Sequence, residues 1–398
     1  MKSRKILIIA ALLAVLPLSP LEAQNQYQWV LDTLEHNSMT LKMLEQRRDA
    51  SQAEATAGSL LENPTLEVSL FGLSPRAASG PRHDVRVGQT FDFPTVYVHR
   101  QRIRQLNAAM AQSGYERHRM EFMLEARNVC TDLVYYNAYV TLYSHCVESA
   151  RRVAEIYGRR LESGDCSVID YNRTQTELAA VETKLRAAET ERDLMRDNLR
   201  MLNQGKVIAF VQDTFSPVSL PGRFEDWLDE AQRRNPLLTE LSQQSAAGAE
   251  NVALSKALWV PKLTAGYVSE VTSDEAFRGL SLGLSLPLWE RKGTVKQATL
   301  RQAADKTEYD DAVARYRSHM RGLYAKAATL ERNLTTLRGV LDRYNSEELL
   351  LKSLNAGEIS LEYYLQSVEF YHDTEIDILE MEHELEHTVQ ELYQYYIN

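Results

Sequence analysis

The chain has 398 residues, 44% hydrophobic and 25% charged, with 45 Lys and Arg against 55 Asp and Glu and a net charge of −10. These proportions exclude collagen-like and wholly disordered chains. The acidic balance also argues against nucleic acid as a partner, because neutralising phosphates takes a basic face.

Residues 1–23 read as a secretory signal. Lys2, Arg4 and Lys5 precede the apolar run Ile6–Leu16, and Pro17, Pro20 and the small Ala23 follow. Export is expected, with a mature net charge of −12 once three bases and one acid are removed. The first cysteine is Cys130, so no N-terminal lipid anchor is expected. No later run approaches the roughly 18 apolar residues of a membrane-spanning helix, which excludes a polytopic helical membrane protein. A β-barrel stays open, since only alternate residues face lipid.

The rest of the chain is written twice. Trp29 and Asn37 have counterparts in Trp227 and Asn235, Asn63-Pro64-Thr65-Leu66 in Val260-Pro261-Lys262-Leu263, Gly88 in Gly283, and Gly164-Asp165-Cys166-Ser167 in Gly357-Glu358-Ile359-Ser360. The expected organisation is a signal over 1–23, a first repeat over 24–212, a turn-rich linker over 213–223 holding Pro217, Pro221 and Gly222, and a second repeat over 224–398.

Each repeat opens with a helix and continues as a strand pair, over 65–93 and 262–288. Leu66, Val68 and Leu70 alternate with Glu67 and Ser69, and Leu280, Leu282, Leu284, Leu286 and Leu288 alternate with Ser281, Gly283 and Ser285. Strands of about 9 to 11 residues suffice to cross a bilayer when tilted. Glu67, Arg86 and Asp92 suit a water-filled lumen, and the polar loops Ser74–His83 and Thr272–Arg278 suit far-side turns.

No proline falls between Thr95 and Ser216 or after Leu288, and these stretches are rich in helix formers. Val181, Ala188, Met195 and Leu202 recur every seven residues, with Leu178 and Leu185 three positions before, as in a coiled-coil seam. Gly164 before Ser167, and Gly357 before Ser360, each pair a helix-ending glycine with an N-cap serine. Each proline-free stretch is therefore expected to be a helical hairpin with a first leg of about 65 residues, roughly 100 Å long. Three cysteines form no disulfide framework, and Cys130 and Cys146 on one helix would stand roughly 24 Å apart, too far to pair.

Asn63-Pro64-Thr65-Leu66, the stretch Val87–Pro94, Leu284-Ser285-Leu286-Pro287-Leu288 before Arg291-Lys292-Gly293, and the two Gly-acid-x-Ser turns resemble the TolC-type outer-membrane efflux protein family. The resemblance implies long helical hairpins forming a periplasmic α-barrel, with a transmembrane β-barrel of four strands per chain and twelve in a homotrimer. It implies outer-membrane lipid around the strands and no enzymatic activity or cofactor. A periplasmic membrane-fusion adaptor and an inner-membrane efflux pump are the implied partners of a passive duct for small molecules or metal ions. The turns would supply the pore constriction, at Asp165, Asp170, Glu358 and Glu362, and the adaptor-contacting tips, at Gly164, Ser167, Gly357 and Ser360. Asp170 stands six residues after its turn glycine, where the second repeat has Tyr363. Independently, four strands cannot close a barrel, so several chains must share one. An alternative is a periplasmic coiled-coil adaptor or scaffold, which needs hairpins but no amphipathic strands.

A last pattern, His383-Glu384-Leu385-Glu386-His387, matches the H-E-x-x-H of zinc proteases. The glycine and the third histidine of the extended motif are absent, so no catalytic metal is expected and a zinc metalloprotease is the most distant alternative. Surface metal capture by His383, His387 and Glu391 on one helical face is a weaker variant. Glu380, Glu382 and Glu391 suggest a solvated acidic face, and Tyr135, Tyr136, Tyr139, Tyr393, Tyr395 and Tyr396 suggest helix packing. No phosphate-binding loop or dinucleotide fingerprint occurs, so transport energy would come from a partner.

Overall fold

The computed structural model of the chain describes residues 20–57, 61–71, 82–272, 274–289, 291–344 and 346–396. The apolar core of the expected signal and most of the loop Ser74–His83 lie outside the described residues. Helices α1 (Pro20–Asn37) and α2 (Met39–Thr56) lead into strands β1 (Thr65–Phe71) and β2 (Arg82–Phe91), then helices α3 (Pro94–Ser163) and α4 (Val168–Leu202). The same order returns in α5 (Phe224–Arg234), α6 (Pro236–Ala257), β3 (Lys262–Val271), β4 (Ala276–Ser285), α7 (Thr294–Tyr344), α8 (Glu347–Ala356) and α9 (Leu361–Leu392). Long α-helical hairpins and one four-stranded sheet, duplicated in sequence order, are the expected fold class. Among the described residues no helix is long and apolar enough to cross a membrane.

The first hairpin follows its sequence closely. Helix α3 runs unbroken for 70 residues from Pro94, where a proline costs no hydrogen bond. Thr174, Val181 and Ala188 are buried on α4 at seven-residue steps, and Val181 packs against Tyr143, Cys146 and Val147 of α3 with Leu178 and Leu185 flanking. The second hairpin departs from expectation, because its first leg breaks into α7, of 51 residues, and α8, of 10. The carbonyl of Tyr344 accepts from Ser346 Oγ at 3.2 Å and Tyr371 OH at 2.9 Å. Side-chain hydroxyls thus compete for a carbonyl that an unbroken helix would have bonded to a backbone amide.

Two compact units divide the chain. The first gathers the chain up to Ser38 with Met123–Leu220 and Leu323–Leu392; the second gathers Met39–Phe122, Pro221–Gly322 and the segment from Tyr393. The first holds both hairpin turns, and its core includes Leu31, Leu34, Met123, Leu133, Leu199 and Leu392. In the second, His99 and Arg102 of α3 meet Glu250 of α6 at 2.7 and 3.2 Å, and Arg317 and Arg321 of α7 hold Glu225 of α5 at 3.3 and 3.1 Å.

The second unit also holds the sheet, antiparallel throughout in the order β1-β2-β3-β4. The strands have 7, 10, 10 and 10 residues, so β1 is shorter than expected while the others have barrel-spanning length. Pairing of β2 with β3 joins the two hairpins into one sheet and leaves β1 and β4 as edges. Leu286 and Leu288, expected in the last strand, lie beyond its end at Ser285, ahead of and behind Pro287.

Gly266 is required by close approach: a Cβ there would stand 2.6 Å from the Val87 carbonyl oxygen and 2.7 Å from Ser281 Oγ. At Gly279, on the same face, an added Cβ meets nothing within 4 Å. Gly266→Val should therefore force β2 and β3 apart at a cost of roughly 1–3 kcal/mol or more. Faster amide exchange across Arg82–Phe91 and Lys262–Val271 would report it, and Gly279→Ala should exchange as the parent does.

Candidate functional site

Residues paired across a sheet share a face, and successive residues alternate between faces. The register puts Leu66, Val87, Tyr267 and Leu280 in one row and Phe91, Leu263 and Leu284 in another, with Gln89, Ala265 and Leu282 between them on the same face. Leu280, Leu282 and Leu284 are 90%, 80% and 71% exposed, so among the described residues nothing covers this face at β4. The opposite face carries Glu67, Arg82, Asp84, Arg86, Glu270, Ser281 and the glycines Gly88, Gly266, Gly279 and Gly283. Its charges are paired, Arg82 with Asp84 at 2.9 Å and Glu270 at 3.0 Å, and Arg86 with Glu67 at 3.5 Å. A sheet with one exposed apolar face and one charged, glycine-rich face can separate hydrocarbon from water. Exposed Phe93, Trp259 and Trp289 stand where the chain enters or leaves the strands at the helix end, the position of an interfacial aromatic belt.

Asp92 does not join the lumen-type charges as expected. It lies one residue past β2, is buried, and meets Arg100 Nη1 at 2.8 Å and Lys262 Nζ at 3.7 Å, while its backbone amide donates to Tyr97 OH at 2.8 Å. Lys262 also bonds to Glu62. Asp92 thus ties the end of β2 to the start of α3 and the start of β3.

The two helix turns stand side by side. Gly164 and Gly357 adopt φ of +78° and +75°, the left-handed conformation that glycine reaches without a Cβ penalty. The amide of Asp165 donates to the Arg160 carbonyl at 2.7 Å, and that of Glu358 to the Ser353 carbonyl at 2.9 Å. Ser167 caps α4 in a reciprocal box with Asp170, its Oγ accepting from the Asp170 amide at 3.1 Å. Ser360 Oγ accepts from the Tyr363 amide at 3.1 Å, so Tyr363 extends that turn without the second half of a capping box. Asp165 Oδ2 accepts from Ser163 Oγ at 2.6 Å, and Glu362 faces Arg173 of α4 at 3.8 Å. Val153, Tyr157, Leu354, Leu361, Tyr364 and Val368 form the buried cluster beneath both turns. Cys166, unexplained by its sequence position, packs on that cluster and donates its thiol to the Tyr157 carbonyl at 3.4 Å. Burial raises the Tyr157 hydroxyl above its ordinary range and pushes the thiols of Cys130 and Cys146 up to about 12, which keeps those two cysteines protonated core residues.

The histidines of the H-E-x-x-H pattern face α3. His383 Nε2 and His387 Nε2 stand 2.7 and 2.8 Å from Asp132 Oδ1 and 3.0 Å from each other. Burial alone would raise the Asp132 carboxyl, but its hydrogen bonds to both histidines outweigh this and bring it to about 2. The third group is Asp132, not the expected Glu391. Of the acids expected to form a solvated face, Glu380 is exposed but Glu382 pairs with Arg338; beside them Glu384 pairs with Lys326 at 2.9 Å and Glu386 is largely enclosed. The tyrosines pack as expected, Tyr135 on Tyr139 and His383, Tyr393 on Trp227, and Tyr395 on Tyr316.

No family model matches the chain, and no curated protein matches it. Solved structures do. CusC, described for its transmembrane channel formation, superposes with a TM-score of 0.77 at 14% identity over 93% of this chain and 92% of that one. The outer membrane protein VceC of Vibrio cholerae gives 0.77 at 13% identity over 93% and 96%, and the outer membrane channel CmeC of Campylobacter jejuni 0.75 at 13% over 93% and 85%. The chain has the TolC-type fold.

Within that fold the sequence marks the turn residues but not what joins the turns. Arg160 Nη2 donates to the carbonyls of Leu354 and Asn355 at 3.3 and 3.1 Å, closing the end of α8 from the other hairpin. Its signal was present, a basic residue in the last turn of a helix, but the helix end it caps belongs to another element. Leu354→Ala, at 1% exposure in the parent, should destabilise the paired turns by about 2–5 kcal/mol. Ser167→Ala should cost roughly 1 kcal/mol. Amide exchange should accelerate at both turns for Leu354→Ala, and only at the start of α4 for Ser167→Ala.

Proposed function

We propose that the chain is the outer-membrane channel of a tripartite efflux system, a passive duct that catalyses no reaction. The observation that carries this reading is the sheet, whose apolar face is exposed and whose edge strands β1 and β4 have no further strand partner among the described residues. Lipid tolerates no unpaired strand edge, so the sheet must close with copies of itself. Three copies give twelve strands and a water-filled bore, whereas two would give eight, an interior that side chains can fill. The similarity of the fold to outer-membrane channels supports the same assignment.

In this reading residues 1–23 direct export, 24–212 and 224–398 are the two repeats, and 213–223 links them. The strands lie in outer-membrane lipid and the hairpins continue the duct into the periplasm. Gly164, Ser167, Gly357 and Ser360 meet a membrane-fusion adaptor, which passes small molecules or metal ions from an inner-membrane pump. Asp165, Asp170, Glu358 and Glu362 form acidic rings at the constriction. Rings of carboxylates favour cations.

The purified mature chain, reconstituted in a planar bilayer, should form trimers that conduct and prefer cations. Asp170→Asn with Glu362→Gln should reduce that preference severalfold while leaving the trimer intact. A chain that stays monomeric in detergent, or dissolves without any, would overturn the reading.

A further inference from the structure

Among the described residues, one group of three or more histidine, cysteine or carboxylate side chains brings its ligand atoms within 4.8 Å of one another: Asp132, His383 and His387. A duct formed by strands and turns has no need of it. Protons alone leave one of its contacts unfavourable. Asp132 Oδ1, as a carboxylate oxygen, only accepts, so both Nε2 atoms must donate to it; the contact of 3.0 Å between the two Nε2 atoms then sets donor against donor. If either Nε2 gives up its proton, its lone pair faces the carboxylate instead. A cation at the centre turns all three lone pairs toward a common partner.

The surroundings orient the group for that purpose. His387 Nδ1 stands 3.0 Å from Asn128 Oδ1, an acceptor, so Nδ1 carries the proton and Nε2 of the neutral ring presents its lone pair to the group. An outer hydrogen bond of this kind is what fixes the tautomer of metal-bound histidines. Tyr135, three residues after Asp132, packs its ring on His383 with centroids 4.6 Å apart. The two histidines are one turn apart on α9, and Asn128 and Asp132 one turn apart on α3, so two facing helix turns supply ligands and support together.

We propose that His383, His387 and Asp132 bind one divalent transition-metal ion of the zinc class, bridging α3 to α9. Two imidazole nitrogens and one carboxylate oxygen suit zinc and its neighbours, whereas calcium and magnesium take oxygen ligands. An ion about 2.0–2.2 Å from each ligand atom rests above the plane of the three and keeps a further position for water. The side chains are 27–29% exposed, which leaves that position reachable from solvent. The site binds rather than hydrolyses, because Glu384, the residue that would activate water, is held by Lys326 Nζ at 2.9 Å.

The test uses the full mature chain, purified in detergent without a histidine tag and stripped of metal. Cobalt(II) titration should give visible absorption saturating at one ion per chain and displaced by zinc. The double variant His383→Ala, His387→Ala should lose that saturation. Asn128→Leu, which removes only the outer hydrogen bond, should weaken binding by about 10–100-fold, with helix content by circular dichroism unchanged. Absence of saturable absorption in the folded parent, or unchanged saturation in the double variant, would overturn the site. Neither result bears on whether the chain conducts, so the two readings fail separately.

Discussion

An antiparallel sheet of four strands has two edges, and in hydrocarbon an unpaired edge has no water to satisfy it. Each bare backbone group costs several kcal/mol there, so an edge of even a few such groups outweighs the 5–15 kcal/mol that stabilises a typical domain. The exposed leucines of β4 pull the other way, since leaving each in water forgoes roughly 1.5–3 kcal/mol. Together the two terms favour a sheet surrounded by lipid and closed by further strands. They also explain the composition of the other face. Gly88 and Gly266 are paired across β2 and β3, and Gly266 has the Val87 carbonyl at a distance that admits no side chain. Glycines at such a position let the polar face close inward.

The helical unit obeys a different rule. Its interior is apolar but crossed by a polar layer in which Gln390 donates to Thr131 at 2.6 Å and Tyr27 shares a hydrogen bond with the same threonine. Near it, burial holds the Arg127 guanidinium below its usual range and the Glu386 carboxyl above its own. Such a layer adds little net stability against apolar residues of the same size. Its effect is on register: a seam repeating every seven residues can slip by a heptad and still bury leucines, but Gln390 reaches Thr131 in only one alignment. The same alignment sets Asn128 and Asp132 opposite His383 and His387.

Local patterns announced the elements, and contacts distant in sequence decided the rest. Alternation at Leu66–Leu70 and Leu280–Leu284 marked strands, proline-free heptads marked the long legs, and a glycine three residues before a serine marked each reversal. Each signal is contained within a few turns or one strand. The break at Tyr344 depends on Tyr371, which belongs to a later helix. Asp92 looked like one more alternating polar residue, yet its partners Arg100 and Lys262 lie on α3 and β3. The histidine pair shows the limit most plainly. Its spacing revealed two ligands on one face of α9, but the third comes from a helix 251 residues earlier, and Glu391, the candidate that sequence spacing offered, is not the group that completes it.

The packing beneath the turns bears on how a constriction at these residues would open. The visible polar link between α4 and α9, Arg173 with Glu362, is exposed, and pairs of that kind are worth about 0–1 kcal/mol. Leu354 and Tyr364 beneath it are almost fully buried, at 1% and 2% exposure, and belong to the same cluster as Val153 and Tyr157 of α3. Burying large side chains of this kind is worth roughly 1.5–3 kcal/mol each, so separating the hairpins of one chain at their turns costs far more than breaking any surface pair. Arg160 adds a direct hydrogen-bonded link from α3 to the end of α8. In the proposed trimer the cheaper motion would keep the two turns together as one body and break contacts between chains. A gate built from these turns in that proposed trimer would therefore move hairpin pairs, one pair from each chain, and its closed state would be held by what the pairs present to one another rather than by the cluster inside each.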